Sequence, residues 1–236
     1  MTNHFRAPGA GRFVSAALVM GVAFVVFGAS FGVLAVSAGA SPAQAFVMSL
    51  LVFTGASQLS AVSVLAAGGS VASAMGGAVL LAGRNAVYGL ALSPLLQGGR
   101  WSRFVGTQWV IDETTAVVTA VEGDETRRTA FWVTAPILYA TWCLGTLGGA
   151  LVGNSLDPKA FGLDVAAPVM FTAMIVPHLR TRNGRRAAAF GAVSAVCLVP
   201  FLPVGLPVLV AAFGMFFGLS PDAQGAADSR TSDGMP

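Results

Sequence analysis

The chain has 236 residues, of which 55% are hydrophobic and only 10% are charged. A soluble globular domain carries roughly 25% charged residues, so the composition is typical of an integral membrane protein. A membrane-spanning helix needs about 20 consecutive apolar residues, and nearly every window between Phe13 and Leu219 is apolar. The length therefore accommodates about seven or eight spans and leaves no room for a soluble catalytic domain.

The net charge of +3 comes from arginines that lie near the ends of the apolar segments. They form no patch that could follow a phosphate backbone, so we expect no nucleic-acid partner. By the positive-inside rule, Arg6 and Arg12 place the N-terminal segment, residues 1–12, in the cytoplasm, and the arginines within residues 180–186 place a later loop there too. Arg100 and Arg103 disagree with this orientation, which therefore stays open.

Glycine, proline, serine and charged residues divide the chain into long apolar blocks without the alternation of a β-barrel. We therefore predict an all-α, polytopic membrane bundle, with a transmembrane domain over residues 13–219 and a disordered polar tail over residues 220–236. The blocks run from Phe13 to Val36, Ala43 to Ala67, Val71 to Leu96, Phe104 to Val121, Ala130 to Val152, Phe161 to Pro177 and Ala187 to Leu219.

Two of these blocks are irregular. The block from Val71 to Leu96 carries Gly83-Arg84-Asn85 in its middle, and a break there would make it re-entrant. The last block carries three prolines within residues 200–207, and each removes a helix hydrogen-bond donor and clashes with the preceding turn. We predict that the last block is a broken helix or a tight helical hairpin.

Small residues recur at the spacing of GxxxG motifs, which let two helix backbones approach closely in lipid. They either pack helices within this chain or bind a partner subunit. The motifs are Gly28 and Gly32, then Gly145, Gly149 and Gly153, and finally Gly214 and Gly218.

Two carboxylates, Asp112 and Glu113, lie side by side within an apolar block. An ionisable side chain at the bilayer centre costs at least about 2.5–3.5 kcal/mol, so it indicates a function and needs a partner. Neighbouring residues of a helix point about 100° apart, so one acid could line a pathway while the other meets Arg84, a helix N-terminus or a neighbouring helix. A protonatable acid here suits proton coupling or a ligand's ammonium group. The alternative is an ion pair that only stabilises packing.

A second polar cluster, "TGASQLS", lies in the middle of the second block. Thr54, Gly55, Ser57 and Gln58 offer backbone, hydroxyl and amide groups at a depth where lipid offers none. Broken helices at such depths are where transporters bind substrate. The alternative is hydrogen bonding between helices, worth about 0.6 kcal/mol per contact.

Enzyme chemistry is poorly supported. An intramembrane serine protease would need Ser57 as nucleophile and a histidine on another span, and His178 lies at a segment edge beside arginines. No metal-ligand cluster or nucleotide-binding loop is present, and Cys143 and Cys197 lack the spacing of a metal or redox motif. We predict a protein that is not an enzyme and needs no cofactor or metal.

Taken in order, these features resemble the AzlC family, the large subunit of bacterial branched-chain amino acid exporters. The GASQ, Arg84-to-Tyr88-Gly and Asp-Glu elements carry the resemblance, while Ala82 departs from the asparagine that many members have two residues before the arginine. The similar segments are "FGASFGVLAVSAGAS" (27–41), "SLLVFTGASQLSAV" (49–62), "LAGRNAVYGLALSPLL" (81–96), "VIDETTAV" (110–117) and "GLDVAAPVMF" (162–171).

The resemblance implies ion-gradient-coupled export of branched-chain amino acids and of related hydrophobic amino acids such as methionine, together with a small AzlD-type membrane subunit, in the bacterial inner membrane. For such an exporter, Asp112 or Glu113 carries the coupling proton or meets the substrate ammonium, and Arg84 meets the substrate carboxylate or pairs with the acid between transport cycles. The "TGASQLS" residues, Asn85 and Tyr88 complete the pathway. Two alternatives stay open: a channel or transporter for another small organic solute, and a non-transporting membrane assembly subunit.

Overall fold

The computed structural model describes residues 4–7, 9–153, 172, 175–176, 178–202, 206–211 and 213–214. All regular elements in this part of the chain are helical, which confirms the all-α prediction for it. The chain divides into two compact units, Met1–Ala167 and Pro168–Pro236. Each unit is described by itself.

The described residues of the first unit form seven α-helices. They are α1 (Ala10–Ser37), α2 (Pro42–Leu51), α3 (Gly55–Ala66), α4 (Val71–Leu92), α5 (Arg100–Gln108), α6 (Asp112–Thr119) and α7 (Asp124–Gly153). The second unit contains α8 (Arg182–Leu198) and α9 (Leu206–Ala211). Short 3-10 helices lie at His4–Arg6 and His178–Arg180.

The ends of these helices follow from local chemistry. Ser41 accepts a hydrogen bond from the Gln44 backbone N–H, and the Gln44 side chain accepts one from the Ser41 N–H, which forms a capping box ahead of Pro42. α1 and α3 are each followed by a glycine with positive φ, Gly39 (97°) and Gly68 (80°). The residues after these glycines donate their N–H groups to carbonyl oxygens of the preceding helix, as in a Schellman motif.

Two of the predicted blocks are interrupted helices. The second block divides into α2 and α3 around residues 52–54, and the fourth divides into α5 and α6 around residues 109–111. The backbone is extended at Thr54 and Ile111, where φ is −148° and −134°, and it is not helical at Val52. The prediction of one uninterrupted span from Phe104 to Val121 is therefore wrong, and Asp112 and Glu113 form the first turn of a new helix.

The third block is regular, contrary to prediction. α4 runs without interruption from Val71 through Gly83, Arg84 and Asn85 to Leu92, because one glycine costs a helix only about 1 kcal/mol relative to alanine. A re-entrant third block with its break at Arg84 is excluded.

In the second unit, α8 ends at Leu198, two residues before Pro200, and α9 begins at Leu206. This agrees with the predicted break in the last block. The predicted sixth helix over residues 161–177 and the tail over residues 220–236 lie almost wholly outside the described residues.

Within the described ranges, three helices are long and apolar enough to cross a membrane: Ala10–Ser37, Val71–Leu92 and Asp124–Gly153. Many of their large apolar side chains face outward, among them Val19, Val22, Val87 and Leu90, with exposures of 63–76%. Such faces suit a lipid environment. The count of seven or eight spans stays a prediction.

The tightest packing joins α1 to α7 through the two glycine motifs. A Cβ added at Gly28 would lie 2.6 Å from the Trp142 carbonyl oxygen, closer than real side chains approach a backbone. Gly32 faces Thr146 and Ala150 in the same way, while Gly145, Gly149 and Gly153 face Val25, Ala29 and Val33. These two predicted motifs therefore pack helices inside the chain. Gly214 lies against Ala187 in the second unit, and Gly218 lies outside the described residues.

Two adjacent glycines of α7 provide a test of this contact. A Cβ on Gly149 would overlap the Ala29 backbone, whereas Gly148 has nothing within 4 Å of its added Cβ. We expect Gly149→Ala to lower the melting temperature in detergent and the amount of protein in the membrane. Gly148→Ala should be neutral or stabilising by up to about 1 kcal/mol, the helix-propensity gain. Equal effects of the two substitutions would contradict this description of the contact.

Candidate functional site

The two helix interruptions lie against each other. The Gln108 side-chain amide, at the end of α5, donates to the Leu51 carbonyl at the end of α2. Tyr139 of α7 donates its hydroxyl to the Leu50 carbonyl over 2.9 Å. Both acceptors belong to the last turn of α2, whose carbonyls have no partner within the helix. Side chains of two other helices thus donate hydrogen bonds to carbonyl groups that the interruption leaves unpaired at the end of α2.

Aromatic rings join the same two interruptions. Phe53 meets the Tyr139 ring edge-to-face with 5.2 Å between the ring centroids. The ring of Trp109, from the other interruption, has its centroid 5.6 Å from that of the Tyr139 ring. Such pairs contribute about 0.5–1.5 kcal/mol beyond the area they bury. Tyr139 therefore holds both interrupted helices against α7.

Thr114 organises the start of α6. Its Oγ1 accepts a hydrogen bond from the Ile111 N–H over 3.0 Å and lies 3.0 Å from the Trp109 carbonyl oxygen, to which it donates. Asp112 and Glu113 occupy the first turn of the new helix, where the helix dipole stabilises negative charge.

An ion pair joins α4 to α6. Arg84 Nη2 lies 2.6 Å from Asp112 Oδ2, and the two side chains are 32% and 29% exposed. The structure therefore selects Asp112 as the acid that meets Arg84. Glu113 is half-buried and forms no ion pair with any residue of the described ranges.

Further polar groups surround this ion pair. The Tyr88 hydroxyl, one helical turn after Arg84, lies beside Asp112 and within electrostatic range of Arg84 and Glu113. Arg84 Nε, Asn85 Oδ1 and Thr115 Oγ1 are buried without a hydrogen-bond partner among the described residues. Thr115 follows Asp112 by three residues, which places both on one face of α6. Unused donors and acceptors thus accompany the ion pair.

An apolar cluster beside the ion pair fixes the elements that carry it. Tyr88, Trp109 and Trp132 are partly buried and pack against it. It unites the end of α4, the second interruption, α6 and α7, so it determines the distance between Arg84 and Asp112. We call it the Phe131 cluster; its buried members are Leu92, Leu95, Leu96, Val110, Val118, Phe131 and Ala135.

The "TGASQLS" cluster forms a separate network. Gln58 is fully buried, donates its amide to Ser49 Oγ over 3.2 Å and accepts from Trp142 Nε1 over 3.0 Å. Ser49 also bonds to Thr146 over 3.0 Å. Hydrogen bonds between helices therefore account for Gln58, the second of the two interpretations that the sequence left open.

The other predicted residues of this cluster lie at the start of α3. Thr54 donates its hydroxyl to Ser57 Oγ over 3.0 Å and makes no cap bond to the helix backbone. The first N–H groups of α3 thus have neither an intrahelical partner nor a side-chain cap. Gly55 lies against Trp142, whose ring would be 2.7 Å from an added Cβ, so only glycine fits.

The predicted site residues therefore form two groups. Arg84, Tyr88 and Asp112 come together between α4 and α6, with Glu113 within electrostatic range, while Asn85 follows Arg84 on α4 and its side-chain oxygen accepts no hydrogen bond from a described residue. Thr54, Gly55, Ser57 and Gln58 lie at the first interruption and its contact with α7.

Sequence reasoning overlooked Tyr139, Gln108 and Trp142, which join these elements. Two signals could have located the interruptions, the triplets Val52-Phe53-Thr54 and Trp109-Val110-Ile111. They are rich in β-branched and aromatic residues, which favour extended backbone.

Long apolar helices, two interrupted helices in contact and an ion pair at the second interruption define a helical membrane protein of the transporter type. The family model described as "AzlC protein" matches residues 19–156, more than half of the chain. The chain belongs to the AzlC family, as its motifs predicted.

Several curated relatives are membrane proteins. An uncharacterized membrane protein of Helicobacter pylori (strain ATCC 700392 / 26695) is 25% identical over 82% of this chain and 88% of its own length. One from Archaeoglobus fulgidus is 30% identical over 73% of this chain and 77% of its own length. Inner membrane protein YgaZ of Escherichia coli (strain K12) is 26% identical over 85% of this chain and 87% of its own length. No solved structure is a significant match.

The buried network can be tested at Gln58. We expect Gln58→Leu to destabilise the protein, because it leaves Trp142 Nε1 without a partner, at about 1–3 kcal/mol for an unsatisfied buried group, and removes one of the two hydrogen bonds of Ser49. The measurement is the melting temperature of the purified protein. Ser63→Ala, at an exposed position of the same helix, is the control. A Gln58→Leu protein of normal stability would contradict the structural role and favour substrate contact.

Proposed function

We propose that this protein is the large subunit of a secondary transporter in the bacterial cell membrane. It exports branched-chain amino acids, is driven by an ion gradient and acts with a small AzlD-type membrane subunit. The resemblance to exporters of the AzlC family supports the substrate class and the partner. The structural support is the ion pair between Arg84 and Asp112, together with the helix interruption beside it.

The ion pair suits a zwitterionic ligand. A free amino acid carries one ammonium and one carboxylate group, so its insertion replaces one ion pair by two and leaves no charge alone. An unpaired charge in an apolar environment costs far more than a paired one. A ligand with a single charge would leave Arg84 or Asp112 without a partner. The pair therefore favours amino acids over simple amines or acids.

Arg84 has N–H donors that its ion pair does not use. Its Nη2 binds Asp112, while its Nε is buried without a partner among the described residues. A guanidinium group has five N–H donors in a planar fork, so the substrate carboxylate can bind beside Nε before the ion pair opens. Asn85, Thr115 and Tyr88 supply further polar contacts for the amino acid backbone. Thr54, Gly55 and Ser57 present the uncapped N-terminus of α3, where the helix dipole favours a carboxylate.

The Phe131 cluster supplies the apolar wall. Its leucine and valine side chains, with Tyr88 and Trp109 packed on them, lie beside the charged groups, where a branched aliphatic side chain gains from burial. Each buried CH₂ contributes about 0.8 kcal/mol. Branched-chain substrates should therefore bind more tightly than alanine or glycine.

Asp112 and Glu113 provide the coupling. A proton on Asp112 removes its negative charge and with it the partner of a bound ammonium group, so proton entry from outside promotes substrate release. Glu113 lies on a different face of the same helical turn and is available for a second proton or for the partner subunit.

The first experiment measures export directly. Cells loaded with labelled dipeptides should release leucine, isoleucine and valine faster when this protein is expressed with its small partner subunit. Either subunit alone should give background efflux. Labelled lysine and glutamate are the controls, because their side-chain charge would have no partner at the apolar wall. Unchanged efflux of all substrates on co-expression would exclude export, and equal efflux of lysine would favour a less selective channel.

The second experiment tests the ion pair. We expect Asp112→Asn and Arg84→Gln each to reduce efflux at least tenfold. Breaking a fully buried pair costs about 3–5 kcal/mol. Because both side chains here are about one-third exposed, the loss of stability should be smaller, and membrane abundance should largely persist. Glu122→Gln, at an exposed acid near the end of α6, is the control and should retain transport.

A charge-swapped variant, Arg84→Asp with Asp112→Arg, separates the two roles of the pair. It restores an attraction between α4 and α6 but reverses the polarity presented to a zwitterion. We expect it to keep the membrane abundance of the single variants without recovering efflux. Recovery of efflux would show that the pair only stabilises packing, as in a non-transporting assembly subunit.

A further inference from the structure

The first turns of α8 carry an unusual concentration of positive charge. Arg182, Arg185 and Arg186 are all exposed, and together with Ala189 they line one open concavity of about 430 Å³. Arg180 precedes them in a 3-10 helix. The spacing of the four lining residues, i, i+3, i+4 and i+7, places them on one face of the helix. Three guanidinium groups therefore converge on a single shallow site.

This placement is electrostatically unfavourable without an anion. The N-terminus of a helix carries partial positive charge, which favours negative groups and repels arginine. Among the described residues, no carboxylate forms an ion pair with any of these arginines. Mutual repulsion of the three side chains adds to the penalty. A bound anion relieves both effects.

The same helical face continues as an apolar surface. Val193 and Val196 follow Ala189 at i+4 and i+7, and they are 63% and 75% exposed. The opposite face of α8 packs within the second unit, where Gly214 lies against Ala187 and Gly191 lies near Ala211. The exposed face thus combines a basic end with an apolar stripe of two further turns.

We propose that this face of α8 binds an anionic phospholipid. The phosphate headgroup lies among Arg182, Arg185 and Arg186, and one acyl chain lies along Val193 and Val196. Arginine forms bidentate hydrogen bonds with phosphate, and basic pockets at membrane helices are typical sites for anionic headgroups.

The apolar stripe distinguishes the lipid from free phosphate. Inorganic phosphate can use only the arginines, whereas a phospholipid covers the basic end and the exposed valines together. Positive charge at the end of an apolar helix also places that end at the membrane surface, where headgroups lie.

The test uses the full-length protein purified in detergent. Native mass spectrometry measures the binding of phosphatidylglycerol and, as the neutral comparison, phosphatidylcholine. We expect selective retention of phosphatidylglycerol. Removal of one arginine should weaken it about fivefold, which corresponds to about 1 kcal/mol, so Arg182→Gln/Arg186→Gln should weaken it roughly 25-fold. Arg182→Lys/Arg186→Lys should retain most of the binding.

Two further variants decide between explanations. Arg100→Gln/Arg103→Gln removes the same charge from another exposed helix start and should leave retention unchanged; an equal loss would show general electrostatics and overturn the proposal. Val193→Ser/Val196→Ser should weaken phosphatidylglycerol retention although the arginines remain. If it has no effect and inorganic phosphate displaces the lipid completely, the site binds phosphate alone and the lipid assignment is wrong. Size-exclusion profiles of all variants verify folding.

Discussion

The need to satisfy backbone polar groups in an apolar environment governs the architecture of the first unit. A helix that crosses lipid can stop midway only where protein groups replace the lost hydrogen bonds. Here Gln108 and Tyr139 bond to the last carbonyls of α2, and Thr114 bonds to the backbone ahead of α6. The first interruption therefore relies on other elements for partners, and Gln108 brings the second interruption against it, whereas Thr114 stabilises the second interruption from within α6. The ion pair that suits a zwitterion lies where the second interruption ends. The hydrogen bonds that stabilise the interrupted backbone therefore also position the residues of the proposed transport site.

α7 is the scaffold for these contacts. One of its faces packs backbone to backbone on α1 through glycines, while Tyr139, Trp142 and Thr146 bond to α2 and α3. Phe131 and Ala135 extend the contacts to α4 and α6. A single long helix thus determines the positions of both groups of predicted site residues. Its own sequence shows little of this role, because tyrosine and tryptophan in an apolar helix are equally typical of ordinary packing.

Sequence reasoning succeeded where one strong physical term dominates. Long apolar runs located α1, α4 and α7, and the high cost of a membrane charge led to an ion partner for the acidic pair. Sequence reasoning failed where the outcome depends on tertiary partners. Gly83 resembled a break but lies within a regular helix, whereas the real interruptions contain no proline, and the first one ends α2 at carbonyls that side chains of other helices satisfy. The choice of Asp112 over Glu113 likewise required the relative rotation of α4 and α6, which periodicity does not provide.

The close contact of α1 and α7 limits how the first unit can move. Sliding either helix by one residue would bring a side chain such as Val25 or Ala29 into a groove that only glycine opens. In the proposed transport, the pair would therefore move as one rigid body. Any rearrangement within the unit would fall to the helices on either side of the interruptions, where the regular helical hydrogen bonds are already absent.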